Sequence, residues 1–474
     1  MQRGLWGIAV HSLDRDERLV EINSAALFVP ASVAKIVSIA SAADAVGWDY
    51  QFETTLRATG PVVQADRPER ERAAASAADV PFSVLQGDLL VVGSGDPSIG
   101  GRAGSDLSVF VDALKARGVR RIEGRIIGDD DSIEEPRPQL AWAWDDLGYT
   151  SGALFGALNL AENRMSVTIA PGTAAGLPTT VSVEPHAGAR PLANRTVTVA
   201  PGERQLLWPE QRPGDPFLTI AGFIAAGAAP VRLNVSVGNP TFWFAAVLRN
   251  ALLRAGIEVT GEASDIDDVV PRPDRAAAEV LFTYTSPPLS VIAQPMMKDS
   301  INLYAEAALR LNAPSGVLPT NDAALAGLGK RLAGWGVPPD AQQLIDGSGL
   351  SRRNVVSPEV LLTVLRRMHD PSGTSPFLNA LPVAGVDGSL ADRMRGTAAE
   401  RNVRAKTGTM SNIRSLAGYV TTRDGERLAF VLLVNNFEGP GAAANRALDA
   451  IAVRLASFSR AASAPPLSSR PGSP

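Results

Sequence analysis

The chain of 474 residues is 45% hydrophobic, with 43 Gly and 35 Pro spread along it, so it reads as a turn-rich globular protein long enough for two or three domains. Its formal net charge of −4 and pI near 5.6 give no basis for nucleic acid as a partner, and the lack of cysteine excludes disulfides, thiol nucleophiles and thiolate metal sites. His11, His186 and His369 are far apart and none stands in an H-E-x-x-H pattern, so neither a histidine zinc site nor a Ser-His-Asp triad is supported, and no metal or organic cofactor is expected.

Residues 4–12 are apolar and β-prone, Asp14-Arg15-Asp16-Glu17 supplies a turn, and 19–22 resumes an alternating pattern, which predicts a hairpin. The apolar part of residues 1–10 is too short for a signal peptide, so none is expected in this numbering, and no run is long and apolar enough for a transmembrane helix. An Ala- and Ile-rich helix is predicted over 31–46, with Pro30 just before it. The mixed-charge stretch Arg67-Pro68-Glu69-Arg70-Glu71-Arg72 reads as a solvated loop. From about 55 to 270, strand-like runs at 88–92, 124–128, 181–184, 196–199 and 231–237 alternate with Gly, Pro and Asp clusters, and helical patterns at 106–115 and 244–255 interrupt them.

Helical periodicity returns over 300–311, 321–335 and 358–368, the last with Ser357 as cap and Pro358 at the first helical position. Strands at 416–421 and 428–435 flank Arg423-Asp424-Gly425-Glu426, a hairpin signal, and an amphipathic helix follows over 441–458. The two ends of the chain, 1–54 and 272–462, therefore read as one discontinuous domain. A β-rich accessory region at 55–271, expected to form two subdomains, interrupts it, and a Pro/Ser-rich tail at 463–474 is expected to be disordered.

Ser32 and Lys35 are spaced i, i+3, which places both on one face of a helix. A lysine is a poor base at its free pKa of about 10.4, but desolvation can make it neutral and able to accept a hydroxyl proton. Alone, the S-x-x-K pattern reads as a helix start with Ser near its cap. The chain's only lysines are Lys35, Lys115, Lys298, Lys330 and Lys406, in a background rich in arginine. Lys406 opens Lys406-Thr407-Gly408-Thr409 just ahead of the strand pair, where Gly408 would let a substrate approach the backbone closely; alone, this is a turn with a solvated lysine. Ser300-Ile301-Asn302 stands at the head of a predicted helix, where Ser300 alone reads as an N-cap. The three elements S-x-x-K, S-x-N and K-T-G, in that order, are the signature of penicillin-recognising serine enzymes.

With these motifs the chain resembles the class C low-molecular-mass penicillin-binding proteins, the D-alanyl-D-alanine carboxypeptidase/endopeptidase family. The resemblance extends over Leu27-Phe28-Val29-Pro30-Ala31-Ser32, Gly93-Ser94-Gly95-Asp96-Pro97, Asp346-Gly347-Ser348-Gly349-Leu350-Ser351-Arg352-Arg353-Asn354 and Gly385-Val386-Asp387-Gly388-Ser389-Leu390. The family commonly has Asn or Thr between the Ser and Lys of the first motif, where this chain has Val33-Ala34. The resemblance implies an α+β fold, a penicillin-binding transpeptidase-like domain with an antiparallel sheet flanked by helices, interrupted by the large insertion.

It also implies roles. Ser32 would attack the penultimate D-alanine carbonyl, with Lys35 as base, Ser300 relaying a proton to the leaving amine, Asn302 orienting Lys35, and Lys406 supplying positive potential. Thr407 and Thr409 would hold the terminal carboxylate, and the backbone N–H groups of Ser32 and Thr409 would form the oxyanion hole. Asp146 and Arg352 match positions that bind the amine and carboxylate ending a diaminopimelate side chain, with Ser348, Tyr149 and Met410 lining that pocket; Asp145 is an alternative to Asp146. The partners implied are peptidoglycan stem peptides and, as covalent inhibitors, β-lactams, in a periplasmic or extracytoplasmic location. A serine β-lactamase would share the motifs, but it is usually shorter and needs a deacylating carboxylate, for which Glu162-Asn163 lacks the spacing. A non-catalytic penicillin- or cell-wall-binding module is the other alternative, against which the three intact motifs argue.

Overall fold

The structure, a computed structural model, describes residues 4–65, 82–212 and 215–460; the stretch 67–72 and the tail 463–474 lie outside the described residues. Strand Leu5–Ser12 pairs antiparallel with Glu17–Ile22, and in the turn between them Asp16 takes a left-handed φ of 53°, which a short polar side chain tolerates. Leu5–Ser12 pairs on its other side with Arg427–Asn435, so the two ends of the chain build one sheet. Its order is Glu17–Ile22, Leu5–Ser12, Arg427–Asn435, Ile413–Thr421, Arg404–Met410, antiparallel throughout.

The run Leu428-Ala429-Phe430-Val431-Leu432-Leu433-Val434 is continuously apolar because the strand is covered on both faces. Successive side chains point to opposite sides: Ala429, Val431 and Leu433 enter one core, and Leu428, Phe430, Leu432 and Val434 enter another. The first core packs the sheet against helices Lys35–Val46, Leu289–Lys298, Asn302–Arg310, Asn321–Gly334 and Pro358–Met368, the second against Gly441–Ala456. Pro358–Met368 has the expected cap, with Ser357 Oγ accepting from Val360 N at 3.3 Å.

Between these ends, the chain runs out along Glu53–Ala58 and back along Glu279–Thr285, which pair antiparallel. The intervening residues extend these strands into a five-stranded sheet and add one four-stranded and two three-stranded sheets, with helices Ser108–Ala116 and Pro240–Arg254 packed into a separate hydrophobic core. The segment linking Ile126–Asp129 to Arg164–Ala170 lies against the loop 346–354 and the start of helix Asn321–Gly334. Trp142 Nε1 donates to Asp346 Oδ2 at 2.8 Å, Ser351 Oγ donates to the Leu140 carbonyl at 2.9 Å, and Glu134 Oε2 accepts from Asn321 N at 2.8 Å.

The loop Asp346–Asn354 reaches under the turn that carries Ser32. Gly349 has φ +81°, and a Cβ there would lie 2.0 Å from the Ala31 carbonyl oxygen. Both the left-handed backbone and the contact with main chain exclude a side chain. Gly349→Ala is expected to lower stability by more than about 1 kcal/mol. Thermal unfolding of the variant beside the wild type checks this; unchanged melting contradicts it.

Candidate active site

Ser32 sits in a 3-10 turn, Ala31–Ala34, that runs directly into helix Lys35–Val46. The spacing of three residues is thus spanned by a tight turn and not by a continuous α-helix. Ala31 has φ +49° and Ser300 has φ +63°, two non-glycine left-handed residues at the same site, the kind of local strain that the surrounding fold must hold in place.

Lys35 is 0% exposed, and its Nζ lies 2.8 Å from Ser32 Oγ, 2.7 Å from Asn302 Oδ1 and 2.8 Å from the Ser348 carbonyl. Two of these partners, the amide and backbone oxygens, can only accept. A neutral amine has two hydrogens, which those oxygens take, and one lone pair, which is then directed at the Ser32 hydroxyl. Burial pulls Lys35 down to about 7, against the opposing pull of the Asp346 and Glu306 carboxylates. Near neutral pH the lysine can therefore exchange a proton with Ser32.

A second lysine completes the arrangement. Lys406 is also 0% exposed, and its Nζ donates to Ser300 Oγ at 2.8 Å and to the Thr407 carbonyl at 3.0 Å. Burial and the positive charge of Lys35 hold it well below the usual lysine range, while Asp299 acts the other way. Ser300 does not cap the following helix: Asn302–Arg310 begins after it, with Ile301 at the cap position, and the Ser300 hydroxyl is left to Lys406. Asn302 spans the gap between the two halves of the molecule, giving Oδ1 to Lys35 and donating Nδ2 to the Ser151 carbonyl at 2.8 Å.

Lys406, Thr407, Gly408, Thr409 and Met410 lie on strand Arg404–Met410 itself, at the edge of the sheet. The segment read as a turn ahead of a strand pair is thus a third strand, because its polar, glycine-containing sequence lacks the apolar alternation of a buried one. Among the described residues its outer side carries only the single Val383–Arg404 bridge. Thr407 Oγ1 donates to Ser389 Oγ at 2.7 Å, which brings the hydroxyl of the Gly388-Ser389-Leu390 turn into the site. A Cβ at Gly408 would lie 2.2 Å from Ser415 Oγ and 2.7 Å from the Pro30 carbonyl oxygen. Gly408 therefore lets the strand close on the segment that precedes Ser32.

Asp146 and Arg352 are near enough that the guanidinium pulls on the Asp146 carboxyl, which burial and Asp145 push up. No salt bridge between them occurs among the described residues; Arg352 Nη1 donates only to the Ser411 carbonyl at 3.5 Å. Tyr149 is exposed, and burial, Asp145 and Asp146 push its hydroxyl upward. Ser348 stands apart from this group: it is 0% exposed, its Oγ accepts from Leu350 N at 3.3 Å, and its carbonyl holds Lys35. A concavity of about 910 Å³ lies at the far end of helix Lys35–Val46, lined by Asp44, Lys330 and Trp335, and contains none of these groups.

The family profile described as D-Ala-D-Ala carboxypeptidase 3 (S13) matches residues 1–457. The chain is 34% identical over 470 residues to a D-alanyl-D-alanine carboxypeptidase of Actinomadura sp. (strain R39), covering 97% of this chain and 82% of the relative. Its fold is similar to that of penicillin binding protein 4 from Haemophilus influenzae, with a TM-score of 0.80 and 23% identity over 97% of this chain and 98% of the other. A structure of that protein complexed with a β-lactam superposes with a TM-score of 0.75 and 22% identity, over the same shares of each chain.

If Lys35 is the base, only its neutral form serves, so the acylation rate must rise with pH through about 7. At one pH unit below that value the rate is expected to be about a tenth of its plateau. Stopped-flow acylation by a chromogenic β-lactam between pH 5 and 10 measures this limb.

Proposed function

The chain belongs to the D-Ala-D-Ala carboxypeptidase 3 (S13) family, and we propose that Ser32, Lys35, Ser300, Asn302 and Lys406 are the groups that perform its reaction. It is a serine D-alanyl-D-alanine carboxypeptidase that works through an acyl-enzyme. The observation that carries the residue assignment is the set of three hydrogen bonds at Lys35 Nζ, with Ser32 Oγ as the one partner able to donate.

Ser32 Oγ attacks the carbonyl carbon of the penultimate D-alanine and its proton passes to Lys35 Nζ. Backbone N–H groups of Ser32 and Thr409 face the developing oxyanion, each such donor contributing about 2.7–4 kcal/mol. The C–N bond then breaks, and the leaving amine takes a proton through Ser300, which Lys406 holds at 2.8 Å. Terminal D-alanine departs, and water later cleaves the ester to regenerate the Ser32 hydroxyl. Thr407, Gly408, Thr409 and Met410 offer the sheet edge along which an extended peptide can lie, and Lys406 provides positive potential for the terminal carboxylate.

A β-lactam presents the same carboxylate and a strained amide, but its leaving nitrogen stays tethered after acylation. Among the described residues no carboxylate is hydrogen-bonded to Ser32. Glu306 and Asp346, the carboxylates acting on Lys35, are taken up by backbone amides behind it, and Glu162 is 5% exposed beside Arg102 and Arg164. That supports a long-lived acyl-enzyme over β-lactamase turnover.

The units 1–54 and 272–462 carry the five catalytic groups, and the insertion 55–271, taken as two subdomains, adds Asp146 and Tyr149. Asp146 and Arg352, unbonded to each other, suit a zwitterion: the guanidinium grips a carboxylate and the carboxylate accepts from an ammonium. This favours stem peptides whose diaminopimelate side chain ends free. The substrate lies in the cell wall, outside the cytoplasmic membrane; no helix among the described residues is long and apolar enough to cross a membrane.

Release of D-alanine from a peptide ending in D-Ala-D-Ala tests the assignment. Ser32→Ala is expected to lower kcat by at least about 10³-fold; retained release would refute it. Arg352→Ala is expected to lower kcat/KM about 10- to 100-fold on a free zwitterionic side chain, with little change when the carboxylate of that side chain is amidated. Equal losses on both substrates would remove Arg352 from the specificity site.

A further inference from the structure

Behind Lys35 lies a buried charged layer that the steps above do not use. Glu306 is four residues past Asn302, one turn along the same helix, and is 1% exposed. Its Oε1 accepts from Ser348 N at 3.0 Å and its Oε2 from Gly347 N at 3.3 Å. The same short segment is held from the other side by the nucleophile helix: Ser38 Oγ donates to the Gly347 carbonyl at 2.6 Å, and Lys35 Nζ to the Ser348 carbonyl at 2.8 Å.

The two buried carboxylates here are used differently. Asp346 is saturated, accepting from Gly349 N, Ser351 N, Asn354 Nδ2 and Trp142 Nε1. Among the described residues Glu306 accepts only from the two amides, and Arg310 Nη1 stands off at 3.9 Å while donating to Asn321 Oδ1 at 2.9 Å. Desolvating a carboxylate costs several kcal/mol, so a glutamate in this position needs more than two amide contacts to account for it.

We infer that Glu306 is a positioning residue for acylation: it clamps the Gly347–Ser348 backbone, whose Ser348 carbonyl is presented to Lys35, and its charge lies one residue's backbone away from the lysine. This rests on Lys35 being the base. The charged groups facing Lys35 are Glu306 from its helix, with Arg310 behind it, Asp346 from the loop, and Lys406 from the edge strand, with Asp299 beyond. Burial and Asp346 push Glu306 itself upward, and Arg310 and the two amides oppose them. Its carboxylate favours the lysine ammonium, so losing that charge makes Lys35 easier to deprotonate.

The test is the pH profile of the acylation rate for the wild type, Glu306→Gln and Glu306→Asp. Glu306→Gln should move the acid limb to lower pH by about 0.5 unit or more, and Glu306→Asp, which keeps the charge but shortens the clamp, should lower the plateau with the limb in its wild-type place. A Glu306→Gln profile that falls in height with an unmoved limb would reduce Glu306 to a structural clamp and overturn the inference. Should Glu306→Gln not fold, the neutral Glu306→Met takes its place with the same two outcomes, a limb moved to lower pH upholding the inference and an unmoved one overturning it. A wild type with no acid limb would instead remove Lys35 as base, and the inference with it, which distinguishes the two failures.

Discussion

An amine with no exposed surface must give up its charge or have every hydrogen taken, and Lys35 is arranged so that either state is satisfied. As an ammonium it donates to Ser32, Asn302 and Ser348; as an amine it donates to the two fixed oxygens and accepts from Ser32. Because burial draws it down to about 7, the two states are close in free energy near neutral pH, which a proton acceptor at Ser32 requires. Much of the surrounding architecture keeps water off that amine and the three oxygens in place.

Those oxygens come from three separate stretches of chain: the turn before Lys35–Val46, the head of Asn302–Arg310, and the loop after Ile345. The insertion contributes to holding two of them. Ser151 fixes the amide of Asn302, and Trp142 and Leu140 fix the Asp346–Ser351 loop. The accessory region is therefore a structural partner of the catalytic centre through these contacts. The left-handed Ala31 and Ser300 lie on the same circuit, held by the packing of Gly349 and by the bond from Lys406.

What could be read from the chain follows from how local the signal is. The hairpin at the start, the Ser357-Pro358 helix start and the 423–426 turn are set by neighbouring residues, and they match the observed elements closely. Lys35, Lys406, Ser300 and Asn302 stand out because lysine is scarce and their motifs occur in a fixed order. Strand Glu279–Thr285 and helix Leu289–Lys298 carry weaker signals: the first contains a bulge near Phe282 and the second holds Pro295 inside it. Glu306 and Trp142 are ordinary residues in an amphipathic helix and a loop. Their roles exist only once backbone amides and Asp346, far away in sequence, are brought beside them, and no spacing rule conveys that.

We propose that Ser32 is the group acylated within this preassembled constellation. The most direct measurement is the intact mass of the protein after incubation with benzylpenicillin, with Ser32→Ala alongside. A single persistent adduct of one penicillin per chain, absent from the variant, is the predicted result. An adduct of equal yield in Ser32→Ala, or rapid penicillin hydrolysis with no lasting adduct on the wild type, would contradict it.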